Sequence, residues 1–226
     1  MKSRELERLN RTLLLPHLPG WAAKGTLLFA TPIGDLLRAL DFEPSGFERD
    51  VRRVRYFVLP LYVRDRTHVH FGFARVLGGV QGGIGDHWFD FPVAGRAQVM
   101  GEIADLVKTE ALPWLDRLQT PADLARHGAD IHRNDRNTHV VAELAYSHVL
   151  AGQYDAARAQ LLNVLGQVAA EPEPGEPLLA TAEAAELVRH DLDVDPARAV
   201  QRLRGWRSEA LKALGLTKWA AELPAG

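Results

Sequence analysis

Apolar and polar positions follow two regimes along the chain. Up to about residue 128, helical and strand spacings alternate; from about residue 135 onward only helical spacing appears. Leu6, Leu9 and Leu13 predict a first helix over Ser3–Leu15, stopped by Pro16 and Pro19-Gly20. Lys24–Ala30 reads as a short strand closed by Thr31-Pro32. Ile33, Leu36, Leu37 and Leu40 share one helical face and predict a short helix. The strongest strand signal is Val51–Val63 followed by Thr67–Leu77, with Arg64-Asp65-Arg66 as the polar break of a β-hairpin. Pairing Arg64 with Thr67 puts Tyr56, Val58 and Tyr62 on one face with Val69, Phe71 and Phe73. The other face carries Phe57, Leu59 and Leu61 with His68 and His70. Both faces are largely apolar, so the sheet is expected to be covered on both sides, with Phe71 in the core. Pro60 has no N–H to give to a ladder and favours an edge or a break at that point.

After the hairpin, Gly78–Gly85 reads as a loop leading into a strand over Asp86–Phe91. Ala94–Leu112 is then an amphipathic helix with Val99, Ile103, Leu106 and Val107 inward, broken at Leu112-Pro113. Thr120-Pro121-Ala122-Asp123 starts another: Thr can cap, Pro at the first position loses no needed N–H, and Asp faces the positive helix end. A helix from Asn137 or Thr138 turns at Gly152-Gln153 into Tyr154–Val168. Glu171–Pro177 alternates Glu and Pro as a stiff acidic linker. Leu178–His190 forms a third helix of this half, and Asp195-Pro196 opens a fourth to about Leu214, with Trp219 docking the tail. The fold class is therefore α+β: an N-terminal antiparallel sheet with packed helices over 1–130, then an all-helical segment with helix hairpins over 131–226.

Composition narrows the chemistry. The 226 residues carry 27 Lys plus Arg against 29 Asp plus Glu, a near-balance that does not fit a surface built for nucleic acid or anionic lipid. The absence of cysteine removes disulfides, thiolate zinc sites, iron–sulfur clusters and a Cys nucleophile. No apolar stretch has the length of a signal core or a membrane span, so a cytoplasmic location is expected and no membrane partner. There is no His-Glu-x-x-His, no Gly-x-Ser-x-Gly, and Ser occurs only at 3, 45, 147 and 208.

Four constellations remain. His68 and His70 stand on one strand face about 7 Å apart, and Asp86, His87 and Asp90 on the next strand could complete a metal site. Half-buried packing of the two imidazoles is the competing reading. Gly78–Gly85 could cradle a phosphate but lacks the Lys and Ser/Thr of a P-loop. His132, Asp135 and His139 form one stripe if helical, yet Asn134–Asn137 reads as a turn or helix cap. Arg49, Arg52, Arg53, Arg55, Arg64 and Arg66, with Tyr56 and Tyr62, could meet phosphates and stack bases, but Glu48, Asp50 and Asp65 interrupt them.

Two resemblances follow from particular residues. An N-terminal helix, Gly20-Trp21 with Lys24-Gly25, the Tyr56–Val63 and His68–Phe73 segments, Trp88, and Leu112-Pro113-Trp114-Leu115-Asp116 together resemble a family of uncharacterised bacterial α+β domains of unknown function, over about residues 3–128. Some members of that family sit among proteins suspected of toxin-immunity roles, and the resemblance implies no catalytic residues. Ala145-Tyr146 with Gly152-Gln153-Tyr154-Asp155-Ala156-Ala157 is similar to the inter-helix turn of a tetratricopeptide repeat, with a plain helical hairpin as the alternative. The expectation is a protein-binding or interaction protein of the immunity or accessory type, without cofactor and more a binder than an enzyme. Its partner is then another protein rather than nucleic acid. The alternative is a metal-assisted hydrolase using His68, His70 and the nearby Asp and His residues.

Overall fold

The structure is a computed structural model that describes residues 2–69, 71–79, 87–131 and 137–222. The chain divides into two compact units. One comprises residues 1–33, 37–59 and 71–118; the other comprises 34–36, 60–70 and 119–226.

The first unit is built on a six-stranded antiparallel sheet of β1 (Trp21–Lys24), β2 (Leu27–Ala30), β3 (Leu36–Pro44), β4 (Val51–Pro60) and β5 (Phe73–Val76) in that order, with β6 (Phe89–Asp90) also on β4. Strands β1 (Trp21–Lys24) and β2 (Leu27–Ala30) form a tight hairpin, with Lys24 opposite Leu27. The sequence pattern predicted one strand there. Gly25, at φ 60°, turns the chain where a side chain would be strained. Residues read as a helix from Ile33 to Leu40 instead enter strand β3 (Leu36–Pro44). Leu36, Leu37, Ala39, Leu40 and Phe42 are all buried, because this strand is covered on both faces. Burial on both faces produces apolar neighbours at helical as well as strand spacing, and pairing of Leu28 with Leu40 and Phe29 with Ala39 overrides the helix propensity of Leu and Ala.

Strand β4 (Val51–Pro60) pairs with β5 (Phe73–Val76), Val58 opposite Phe73 and Arg55 opposite Val76. This register is the one obtained by setting Arg64 against Thr67. The strands, however, do not run to that turn. β4 ends at Pro60, and residues 61–69 leave the ladder to belong to the second unit. Phe71 is half-buried rather than core, set edge-on to the fully buried Phe57. β6 shrinks to Phe89–Asp90, paired with the start of β4.

Two irregular helices complete this unit. Helix α1 (Ser3–Leu9) passes into a π turn over Asn10–Leu14 and a 3-10 turn over Leu15–His17. Helix α2 (Arg96–Leu106) passes into a π turn over Val107–Ala111 and then α3 (Leu112–Leu115). The expected break at Leu112-Pro113 does not occur. A proline inside a helix collides with the carbonyl four residues back, here that of Thr109. The π turn widens the backbone ladder at that point, and the Thr109 hydroxyl donates back to the Asp105 carbonyl at 2.9 Å. The same device precedes Pro16, where Thr12 donates to the Arg8 carbonyl at 2.9 Å.

In the second unit, helices α4 (Pro121–Ile131), α5 (Thr138–Leu150), α6 (Tyr154–Ala170), α7 (Glu176–Val194) and α8 (Pro196–Ala213) each pack on the next. Thr120 and Asp123 cap α4 reciprocally, the Asp123 N–H donating to the Thr120 hydroxyl at 3.2 Å and the Thr120 N–H to the Asp123 carboxylate at 3.0 Å. Asn137 and Asp195 cap α5 and α8 by accepting from His139 and Ala197. Gly152, at φ 73°, makes the α5–α6 turn. The acidic linker is shorter than its prolines suggest: α7 already begins at Glu176, since Pro177 falls in the first turn, where no N–H is needed. Val140, Leu144, Ala145, Tyr146 and Val149 are buried, which makes α5 the centre of this unit. Leu216 is buried, and Arg207 holds the tail by donating to the Ala221 carbonyl at 3.1 Å.

Candidate functional site

The residues singled out for metal chemistry do not come together in what the structure describes. His70 and Asp86 lie outside the described residues. His68 is exposed, its Nδ1 3.3 Å from the Thr67 hydroxyl. The exposed ring of His87 stands edge-on to Phe89 at 4.5 Å, and Asp90 is exposed. Among the described residues no group of three or more His, Cys, Asp or Glu side chains could hold a metal ion. Of the glycine loop only Gly78 and Gly79 are described. The Gly78 N–H is already occupied, donating to the Glu110 carboxylate at 3.0 Å. His132 and Asp135 are outside the described residues, while His139 sits in the first turn of α5 with its Nδ1 2.7 Å from the Thr181 hydroxyl.

The arginine run is dispersed rather than gathered into one basic surface. Arg52 is buried and donates to the carbonyls of Arg49 and Val51 at 3.0 and 2.8 Å. Arg53 and Arg55 share the Glu43 carboxylate at 2.6 and 2.8 Å. Burial pushes Glu43 up, but the Arg55 and Arg53 guanidinium groups outweigh it and hold the carboxyl below its usual range. Arg64 pairs with Glu183 at 3.1 Å, and Arg66 pairs with Glu143 in the interior of the second unit. Carboxylates from 10 to more than 100 residues away pair with Arg53, Arg55, Arg64 and Arg66, and no local pattern in the sequence announces them.

The interior of the second unit holds a dense polar network. Tyr62 and Ser147 share a hydrogen bond of 2.6 Å, and the Ser147 hydroxyl also lies 2.7 Å from the Glu143 carbonyl. Burial pushes the Tyr62 phenol far above its usual range. Glu143, Tyr146 and Ser147 lie on one stripe of α5, and Tyr146 stands edge-on to Trp206 at 5.8 Å. The network fixes the 61–69 excursion in its unit. All of its members are sealed from solvent, so it offers no surface for chemistry on an external substrate.

Leu162 stands exposed on α6, and Leu179 and Val194 near opposite ends of α7, in the second unit, whereas the exposed large hydrophobic side chains of the first unit flank β6 or sit in the turn before β4. The turn between β3 and β4 is set by Ser45, whose hydroxyl accepts from the N–H groups of Phe47 and Glu48, both at 3.2 Å. This holds Phe47 outward at 99% exposure. The Phe91 N–H donates to the Asp50 carbonyl at 2.9 Å, so the turn after β6 lies beside the start of β4 and presents Val93 at 79% exposure. Trp88, immediately before β6, is 39% exposed and carries the Arg53 guanidinium 5.0 Å above its ring. Behind it, Arg55 lies 4.9 Å over Phe71. These exposed apolar groups were not legible in the sequence, since Phe47 and Val93 sit in turns where apolar periodicity carries no information.

No known protein family, curated protein or solved structure compared with the chain matches it. Among the described residues no helix is long and apolar enough to cross a membrane.

Proposed function

We propose that this chain is a protein-binding protein whose partner seats on the β3–β4 turn and the two flanks of β6. The observation that carries this reading is the grouping of Phe47, Trp88 and Val93 around the first residues of β4. They are all of the large hydrophobic side chains standing exposed in the described part of the first unit. Exposed aromatic anchors on a preorganised backbone are what a protein interface uses to gain affinity at low entropic cost. The resemblance of residues 3–128 to bacterial domains found among suspected toxin-immunity proteins supports a role of the immunity or accessory type. The test is affinity capture of the tagged protein from its native host, compared with the Phe47→Ser/Val93→Ser variant. A partner held by the parent and lost by the variant, with thermal unfolding unchanged, is the expected result. Capture of the same proteins by both would place the interface elsewhere.

A further inference from the structure

We infer that the first unit holds a buried water-binding site at Asn10. The site begins with the π turn over Asn10–Leu14. Helical spacing in the sequence points Leu6, Leu9 and Leu13 inward. A π turn closes on the fifth residue rather than the fourth, and here the Leu15 N–H donates to the Asn10 carbonyl. With that added residue the inward positions fall every four residues, at Leu6, Asn10 and Leu14, all of them buried, while Leu9 and Leu13 are left half-buried. The Asn10 side chain, at 0% exposure, therefore lies in the interior of the unit with a leucine one turn to either side.

The amide itself decides what occupies the site. Neither Nδ2 nor Oδ1 of Asn10 has a hydrogen-bond partner among the described residues. Both are hydrated in the unfolded chain, so burying them dry would forfeit those bonds. The side chain offers N–H donors and an acceptor oxygen side by side. A cation would be held at the oxygen and repelled by the amide hydrogens, and an anion the reverse. Leu6 and Leu14 carry no charge to compensate either. The ionised groups of this helix are engaged elsewhere: Glu7 accepts from Arg11 at 3.0 Å, Arg11 also donates to the Ala23 carbonyl at 3.1 Å, and Glu5 pairs with Arg96. An apolar molecule would leave both ends of the amide unbonded. Water donates and accepts, buried waters bind polar groups that the chain leaves unpaired, and an interrupted helical ladder is one of the places where water enters a helix.

The experiment is water–protein NMR on the isotope-labelled full chain, reading cross-peaks between water and the Asn10 side-chain amide. Opposite signs of the NOE and the rotating-frame NOE mark a long-lived water and separate it from proton exchange. The parent is expected to show such cross-peaks at the Asn10 amide. Magnetic relaxation dispersion of the water oxygen nucleus then counts long-lived waters. Asn10→Leu, which fills the position with an apolar side chain of similar length, should lower that dispersion by at least a single water's contribution. A parent without a long-lived water at the Asn10 amide overturns the site, whether or not the variant folds. A folded Asn10→Leu protein with unchanged dispersion overturns it too, because the waters counted are then held by other groups.

Discussion

Arg66 and Glu143 show how a single pair can decide the course of the chain. Each side chain is almost wholly buried, at 6% and 2% exposure, and together they tie a loop residue to the central helix of the second unit. Taking two charges out of water costs more than surface pairing returns, so each ion depends on the other. Arg66→Ala or Glu143→Ala alone should destabilise by about 3–5 kcal/mol in urea unfolding, because a lone buried charge remains. Replacing both, as Arg66→Met/Glu143→Leu, should recover most of that loss. A double variant as unstable as the sum of the singles would show that the pair is not coupled. Asp41 is a different case. Burial raises its carboxyl above the usual range, and the hydrogen bond from Thr26 at 2.8 Å offsets this only in part. A raised acid binds a proton more readily when folded, so its ionisation weakens the fold at neutral pH and that penalty is relieved as pH falls through its folded value. Asp41→Asn, which can still accept from Thr26, should raise the melting temperature at pH 7. The advantage over the parent should shrink in acid; a gain that is constant down to pH 3 would argue against the ionisation of Asp41 as its source.

At the scale of elements, the β4–β5 pair separates what local pattern can carry from what it cannot. The two-residue turn assumed at Asp65-Arg66 set the register, and the pairing of Val58 with Phe73 agrees with it; period-two alternation alone leaves it open, because both faces are largely apolar. The same alternation continued through Leu61, Tyr62, Val69 and Phe71, where the chain has left the sheet. Leu61 and Tyr62 are apolar because they pack in the second unit, at 0% exposure, while Phe71 stays in the first unit against Phe57 of β4. Helix starts were legible at Thr120, Asn137 and Asp195, since a cap is a local arrangement of side chain and backbone. The π turns were not, since each answers to a proline through geometry that only the helical context fixes. The proposed interface was hidden too, because exposure of a turn aromatic depends on what the rest of the chain fails to cover. A consequence for stability follows at the hairpin. Phe57→Ala should cost about 3–5 kcal/mol as a fully buried ring, while Phe71→Ala, half-buried and flanked by Arg55, should cost roughly half as much. Equal midpoint shifts in chemical denaturation would mean that Phe71 belongs to the core after all.

For the whole molecule, the order of residues along the chain is not the order of its compact units. The chain passes from one unit to the other after residues 33, 36, 59, 70 and 118. The helices from Gln119 onward therefore do not own all of their core. Leu61 and Tyr62 are fully buried within that unit, Arg66 neutralises Glu143, and Arg207 donates to the Gly34 carbonyl at 2.8 Å and lies 3.6 Å from Asp35. A fragment of residues 119–226 would lose all of these partners. Glu143 would be an uncompensated charge, Ser147 would lose its 2.6 Å partner, and the space filled by Leu61 and Tyr62 would be open. Removing two buried side chains and one ion of a buried pair costs on the order of the whole stability of a unit this size. The fragment should therefore keep helical circular dichroism but unfold without a cooperative transition and bind a hydrophobic dye, as a loosely packed state does. Adding the 60–70 segment back through a flexible linker should restore cooperativity. A fragment of 119–226 that melts as sharply as the full chain would show that the excursion is a passenger on a self-sufficient helical unit.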